Sequence, residues 1–279
     1  MMMTSTKSKV VLITGTSTGF GLLAARLLHA QGYHVWGTTR GTVEDGCNPY
    51  GDFRLISCNV DDDNSALSAV ERVIATEGRI DVLVNNAGFG IYGALEETSV
   101  EEAKMVMETN FFGMHRMCRA VLPSMRARGS GRIINISSIS GRIAAPFQGI
   151  YSASKFAMEG YSESLRYELR PFGIAVSMIE PGDFSTGFLD SRRLTAEAAE
   201  TSYDPWCSRS RKLTIKGASK GPAPELVAVA VRKAIEASTP KLRYLVGKRQ
   251  QRLGAVLKGL VPSRFFEREI AKYYGVPTP

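Results

Sequence analysis

Short apolar runs alternate with helix-length amphipathic stretches through the first two thirds of this chain, and that alternation restricts it to one architectural class. Lys9-Val10-Val11-Leu12-Ile13-Thr14 reads as a strand apolar on both faces, and residues 19 to 31, with Leu22, Leu23, Ala24, Leu27 and Leu28, read as a helix. Further strands are predicted over 33–39, 53–58, 81–85, 131–137 and 174–180, with helices over about 63–77, 99–127 and 151–170. Strands separated by helices require crossovers, and crossovers build a parallel sheet with helices on both faces. The expected fold is one α/β domain spanning residues 1–279, a doubly wound parallel sheet.

Two segments break the pattern. Gly41 to Asp52 carries Gly, Pro, Asn and acidic residues without helical periodicity and is expected to be loop or one short turn. Residues 183–224 mix Phe184, Phe188, Leu189, Tyr203 and Trp206 with charges, which suits a lid over a pocket. Beyond it a helix is predicted over 224–237, a last strand over 242–246, and helical patches over 249–258 and 263–274 that form a C-terminal extension over 249–279.

Composition narrows the function classes. Cys47, Cys58, Cys118 and Cys207 are scattered without a CxxC pair, so neither a disulfide framework nor a zinc site is indicated, and a reducing cytoplasm is the expected compartment. No apolar run approaches the roughly 18 residues of a membrane span, and the polar start through Lys9 does not resemble a signal peptide. His29, His34 and His115 have no metal-ligand spacing, so no catalytic metal is expected. The net charge of +8 is unevenly placed: residues 192–279 hold 18 Lys and Arg against 7 Asp and Glu. A basic tail suits solvated helix faces, an anionic surface or an acidic substrate, and no nucleic-acid motif accompanies it.

The chemistry-bearing residues follow the strands. Thr14-Gly15-Thr16-Ser17-Thr18-Gly19-Phe20-Gly21 lies between the first strand and the first helix, where glycines let the backbone turn sharply beside a pyrophosphate and the helix N-terminus offers free N–H groups. The second strand ends Thr38-Thr39-Arg40 with no carboxylate, which suits the 2′-phosphate of NADP(H) rather than the 2′-hydroxyl of NAD. Tyr151 and Lys155 sit at i and i+4, on one helix face. That spacing matters because a phenol titrates near ~10 and needs a neighbouring cation to serve as an acid–base group at neutral pH. Ser138, thirteen residues before Tyr151, follows a strand at the end where open α/β sheets place ligands.

Together TGxxxGxG at 14–21, Asn85-Asn86-Ala87-Gly88, Asn110, Ser138, YxxxK at 151–155 and Pro181-Gly182 resemble the short-chain dehydrogenase/reductase family in its compact single-domain form, over roughly residues 9–250. The resemblance implies a Rossmann-type sheet of about seven strands. It also implies that Tyr151 is the general acid or base, Ser138 holds the carbonyl oxygen, Lys155 supports Tyr151 and binds the nicotinamide ribose, and Asn110 anchors a proton-relay water. Cofactor contacts are implied for Gly15, Ser17, Thr18, Gly19, Phe20, Gly21, Thr38, Thr39, Arg40, Asn59, Val60, Asn86, Ala87, Gly88, Pro181, Gly182, Phe184 and Thr186. Asn59 stands where the family usually has Asp, so weaker discrimination next to the adenine is expected. A softer likeness, through Glu180-Pro181-Gly182-Asp183-Phe184 and Leu242 to Gly247, points to the branch of 17β-hydroxysteroid and retinol dehydrogenases.

These readings converge on an NADP(H)-dependent oxidoreductase interconverting a ketone or aldehyde and an alcohol. Its lipophilic pocket is expected from Phe89, Ile91, Tyr92, Ser140, Ile143, Ala144, Phe147 and Phe188. Arg192, Arg193, Arg209, Arg211 and Lys212 motivate a rival, a reductase of acidic acyl thioesters, and a cofactor sensor without chemistry is a second. A homodimer or homotetramer packed through the helices at 99–127 and 151–170 is the assembly the resemblance implies.

Overall fold

The computed structural model describes residues 9–43, 52–185, 193–195 and 201–278. Seven strands form one parallel sheet: β1 Val10–Ile13, β2 His34–Thr39, β3 Arg54–Ser57, β4 Val82–Asn85, β6 Gly131–Ile136, β7 Ile174–Pro181 and β9 Arg243–Val246. Their order is β3-β2-β1-β4-β6-β7-β9, so the chain moves outward one way from β1 and then returns to its other side. The crevice this reversal opens between the carboxyl ends of β1 and β4 is where such sheets bind ligands.

Side-chain alternation along the strands divides the interior in two. Val10 and Leu12 of β1 join one core with Val70, Met117, Val121 and Met158. Val11 and Ile13 join the other with Ala25, Leu28, Val231 and Ile235. The first core is covered by α2 (Asp63–Glu77), α4 (Gly113–Ala127) and α5 (Gly149–Leu169), the second by α1 (Gly19–Ala30) and α7 (Glu225–Glu236). Local signals set the helix ends: Asp62 caps α2 by accepting from the Ser65 N–H at 2.6 Å, and Ser99 with Glu102 makes a reciprocal capping box at the start of α3 (Val100–Met107).

Three expectations are corrected. The predicted helix over 99–127 is α3 and α4 joined by a π-helical turn at Glu108–Phe112 that contains Asn110. Such turns insert a residue into the helix ladder and concentrate at functional sites. The segment expected as an irregular lid holds a full helix, α6 (Trp206–Ser219), whose buried positions are Cys207, Ser210, Thr214 and Ala218. A stripe of small and polar residues gives no apolar periodicity, so hydropathy could not reveal it. The same segment also pairs with the body in a short parallel ladder between β5 (Ile91–Tyr92) and β8 (Arg193–Leu194). The expected loop after β2 falls largely outside the described residues. The C-terminal extension is α8 (Arg249–Leu257) and α9 (Ser263–Tyr274), and no described helix is long and apolar enough to cross a membrane.

Candidate active site

A single cavity of about 740 Å³ runs from the glycine-rich turn, past the carboxyl ends of the strands, to α9. At its first end Gly15 has φ +68°, and a Cβ there would lie 2.9 Å from the Ala87 Cα, so both the turn and the close approach of β1 to β4 require glycine. Asn86 braces the turn by donating from Nδ2 to the carbonyls of Thr14 and Gly15, each at 2.9 Å. Thr18 gives α1 no side-chain cap, leaving the N–H groups of the first turn available to an anion. Gly21 lies behind this wall, where an added Cβ would meet the Gly15 carbonyl oxygen at 2.3 Å. It therefore packs the turn and does not border the cavity.

The end of β2 lines the same cavity with Thr38, Thr39 and Arg40. Thr38 Oγ1 accepts from the Gly15 N–H at 3.2 Å and Ser17 Oγ donates to Thr39 Oγ1 at 2.9 Å, which ties the strand end to the turn. Arg40 is exposed and makes no ion pair among the described residues. Of the other residues for which cofactor contacts are implied, Val60, Asn86, Ala87, Gly88, Pro181, Gly182 and Phe184 border the cavity, while Asn59 does not; it accepts instead from the Asp61 N–H at 3.3 Å. Thr186 and Phe188 lie outside the described residues.

Midway along the cavity Ser138, Tyr151 and Lys155 come together on its wall. Tyr151 and Lys155 are 6% and 5% exposed. Lys155 Nζ donates to the Ile136 carbonyl at 2.9 Å and stands 5.8 Å from the Tyr151 ring centre. Burial pushes the Lys155 ammonium down to about 8, with Glu159 one helical turn away opposing that fall. Ser138 Oγ accepts from the Ser140 N–H at 3.1 Å, fixing its hydroxyl on the wall. Asn110 is fully buried behind the cavity: its Nδ2 donates to the Phe89 carbonyl and to Ser154 Oγ, and its Oδ1 accepts from the Phe89 N–H. The amide is thus a strut between Phe89 and α5.

Behind Lys155 lies a buried acidic cluster that sequence reasoning did not single out. Glu159 Oε1 accepts from Ser137 Oγ at 2.6 Å and Oε2 from Arg243 Nε at 2.9 Å. Glu180, wholly buried, has Arg243 Nε at 3.1 Å and Arg142 at 3.6 Å, yet neither of its oxygens receives a hydrogen bond. Desolvation, and then the charge of Glu159, raise the Glu180 carboxyl to about 7 in spite of those two cations.

The expected pocket is redrawn at its far end. Phe89, Ser140 and Ile143 line the cavity, whereas Tyr92 and Phe147 do not. Tyr92 is buried with its hydroxyl donating to Ser210 Oγ at 2.8 Å, and Phe147, at φ +61°, stacks on it at 6.5 Å. The Tyr92 bond thus ties α6 to the body, and Phe147 packs on Tyr92 and on Tyr203, just before that helix. The wall is completed by Gln251 and Gly254 of α8 and by Phe266, Glu269, Ile270, Tyr273 and Tyr274 of α9. The one available signal was the spacing of Phe266, Ile270 and Tyr273–Tyr274 at i, i+4 and i+7/8. Asp183 holds these helices down, its Oδ2 accepting from Gln251 Nε2 at 2.6 Å and from the Tyr273 hydroxyl at 3.0 Å.

This arrangement of sheet, glycine turn and Ser–Tyr–Lys wall coincides with a family match: residues 9–197 fit the family described as short chain dehydrogenase. The chain belongs to that family of oxidoreductases, which act on CH–OH and C=O groups with a nicotinamide cofactor. Among its relatives is the 3-ketodihydrosphingosine reductase of Bacteroides thetaiotaomicron, 43% identical over 96% of this chain and 98% of that protein. Human 17-beta-hydroxysteroid dehydrogenase type 1 is 38% identical over 86% of this chain and 78% of its own. The crystal structure of a short-chain dehydrogenase from Streptomyces avermitilis superposes with a TM-score of 0.80, at 34% identity, covering 96% of this chain and 98% of that one.

Proposed function

We propose that the protein is an NADP(H)-dependent reductase of lipophilic ketones, with long-chain 3-keto amino alcohols as the substrate class. The observation that carries this reading is one continuous cavity: Arg40 and the glycine turn border one end, Ser138, Tyr151 and Lys155 the middle, and Phe266, Ile270 and Tyr273 the other. The 43% identical relative named for reducing 3-ketodihydrosphingosine supports the substrate class.

The residues of the first end fit a dinucleotide phosphate. An uncapped helix start, a glycine turn and a strand end bearing Arg40 and no carboxylate favour negative charge there. When bound, the cofactor supplies the hydride. The chain does the rest. Tyr151 donates its phenolic proton to the carbonyl oxygen as negative charge develops, and Ser138 holds that oxygen by a hydrogen bond. The Lys155 ammonium, fixed by the Ile136 carbonyl, favours the phenolate that remains. Asn110 acts as a positioning residue, keeping Phe89 on the wall and Ser154 in place on α5.

Three of the five residues that motivate the acidic-substrate reading lie away from this cavity. Arg209, Arg211 and Lys212 are on the exposed face of α6 and none borders the cavity; Arg192 and the side chain of Arg193 fall outside the described residues. The test is NADPH consumption with a panel from small diketones to a long-chain 3-keto amino alcohol, in wild type and Tyr151→Phe. Turnover of the long-chain ketone should fall by about a hundred- to ten-thousand-fold in the variant, with NADPH affinity retained. Wild-type turnover in Tyr151→Phe would refute the mechanism.

A further inference from the structure

The tail that closes the cavity also presents an unusual outer surface. Along α8, Arg249, Arg252, Leu253 and Val256 form one exposed stripe at helical spacing, continued by Leu260 in the turn before α9. Leu253 is 54% exposed, Val256 52%, Leu260 75%, and Phe265 at the start of α9 is 57% exposed. Four large apolar side chains open to solvent within thirteen residues exceed the scattered apolar exposure of an ordinary surface. Around them, residues 248–278 hold seven Lys and Arg against two Glu, and Arg264 and Arg268 of α9 are exposed beside Phe265.

We infer that α8 and α9 form a docking surface for an anionic phospholipid bilayer, with Leu253, Val256, Leu260 and Phe265 entering the headgroup region and the surrounding arginines meeting lipid phosphates. Charge decides between occupants. A second copy seated on this face by two-fold symmetry would bring cations against cations, whereas an anionic bilayer offers the opposite sign over a wide plane. An apolar row flanked by Arg and Lys is also the composition of helices that lie in a membrane interface.

The position of this surface gives it a use. The opposite faces of the same two helices line the cavity, through Gly254 of α8 and Phe266 and Ile270 of α9. The wall between bilayer and cavity is therefore one helix thick, so docking would place the cleft beside the layer in which a lipophilic ketone dissolves. Delivery rests on the proposed substrate class; docking does not, and its test involves no turnover.

The experiment is sedimentation of the full-length protein with vesicles of pure phosphatidylcholine or of phosphatidylcholine mixed with phosphatidylglycerol. The protein should pellet with the mixed vesicles, and added salt should release much of it. Leu253→Ser/Leu260→Ser/Phe265→Ser should lower the partition coefficient at least about tenfold. A second variant, Arg249→Gln/Arg252→Gln/Arg264→Gln/Arg268→Gln, should abolish the preference for phosphatidylglycerol and provides an independent arm should the first variant fail to fold, as judged by its circular dichroism melt. Wild-type protein remaining in the supernatant, or pelleting unchanged by both variants, would overturn the proposal. So would loss of self-association, without vesicle binding, in the serine variant, since a second copy would then cover the face.

Discussion

Lys155→Met should make the protein more stable at neutral pH while removing its activity. In the native state Lys155 is buried, and its ammonium is held down from 10.5 to about 8. Keeping that charge in the interior at pH 7 therefore costs about 3 kcal/mol relative to the unfolded chain. Methionine fills nearly the same volume without a charge, but it leaves the Ile136 carbonyl without the donor that Lys155 supplies at 2.9 Å. An unsatisfied buried carbonyl costs about 1–2 kcal/mol. The balance is a gain of about 1–2 kcal/mol at pH 7. Between pH 8 and 10.5 the unfolded chain binds more protons at this site than the folded one, so wild-type stability rises with pH relative to the variant and the difference changes sign. Urea unfolding of both proteins at pH 7 and pH 10.5 reads the difference directly and cancels the titration of shared tyrosines and cysteines. A variant less stable at pH 7, or a difference unaffected by pH, would show that Lys155 carries no costly buried charge.

Other consequences are equally direct. Arg40→Ala should weaken NADPH binding at least about tenfold more than NADH binding, the worth of one charge-assisted contact; equal losses in a fluorescence titration would remove Arg40 from the phosphate site. Gly21→Ala forces a Cβ to 2.3 Å from the Gly15 carbonyl oxygen and 2.4 Å from Asn86 Nδ2. It should cost about 1–3 kcal/mol in urea unfolding and weaken both cofactors alike, and unchanged binding would show that the turn adapts. Glu180, raised to about 7, binds more protons in the folded than in the unfolded state, so its own contribution to wild-type stability should fall as pH rises from 4.5 to 7, by at most about 3 kcal/mol. Glu180→Gln should flatten that slope in melts across the window, and a persisting slope would place the titration elsewhere.

Much of this architecture is written in periodicity. The alternation of buried strands with amphipathic helices specified the parallel sheet, and the Tyr151–Lys155 spacing followed from helix geometry alone. What escaped the sequence did so for physical reasons. α6 buries Cys207, Ser210, Thr214 and Ala218, a stripe too small and polar to register as a hydrophobic face. Tyr92 and Phe147 are aromatic and close in the chain to Phe89 and Tyr151, but the Tyr92 hydroxyl is held by Ser210 of α6, far along the chain, and Phe147 has a positive φ. The role of α8 and α9 as a cavity wall rests on bonds such as Asp183 to Gln251 and Tyr273, made across 68 and 90 residues. Glu180 was legible only as part of a short motif, because its burial among Arg142, Arg243 and Glu159 is assembled by three separate elements.

In the proposed reductase one cavity joins an NADP(H) site to a lipophilic carbonyl site at Tyr151. Comparing kcat/KM for NADPH-dependent reduction of a long-chain 3-keto amino alcohol with that of its short-chain counterpart tests it most directly. Turnover of both is expected, with kcat/KM for the long chain higher by at least about tenfold as its methylenes leave water along Phe266 and Ile270. Tight NADPH binding without reduction of either ketone would contradict it.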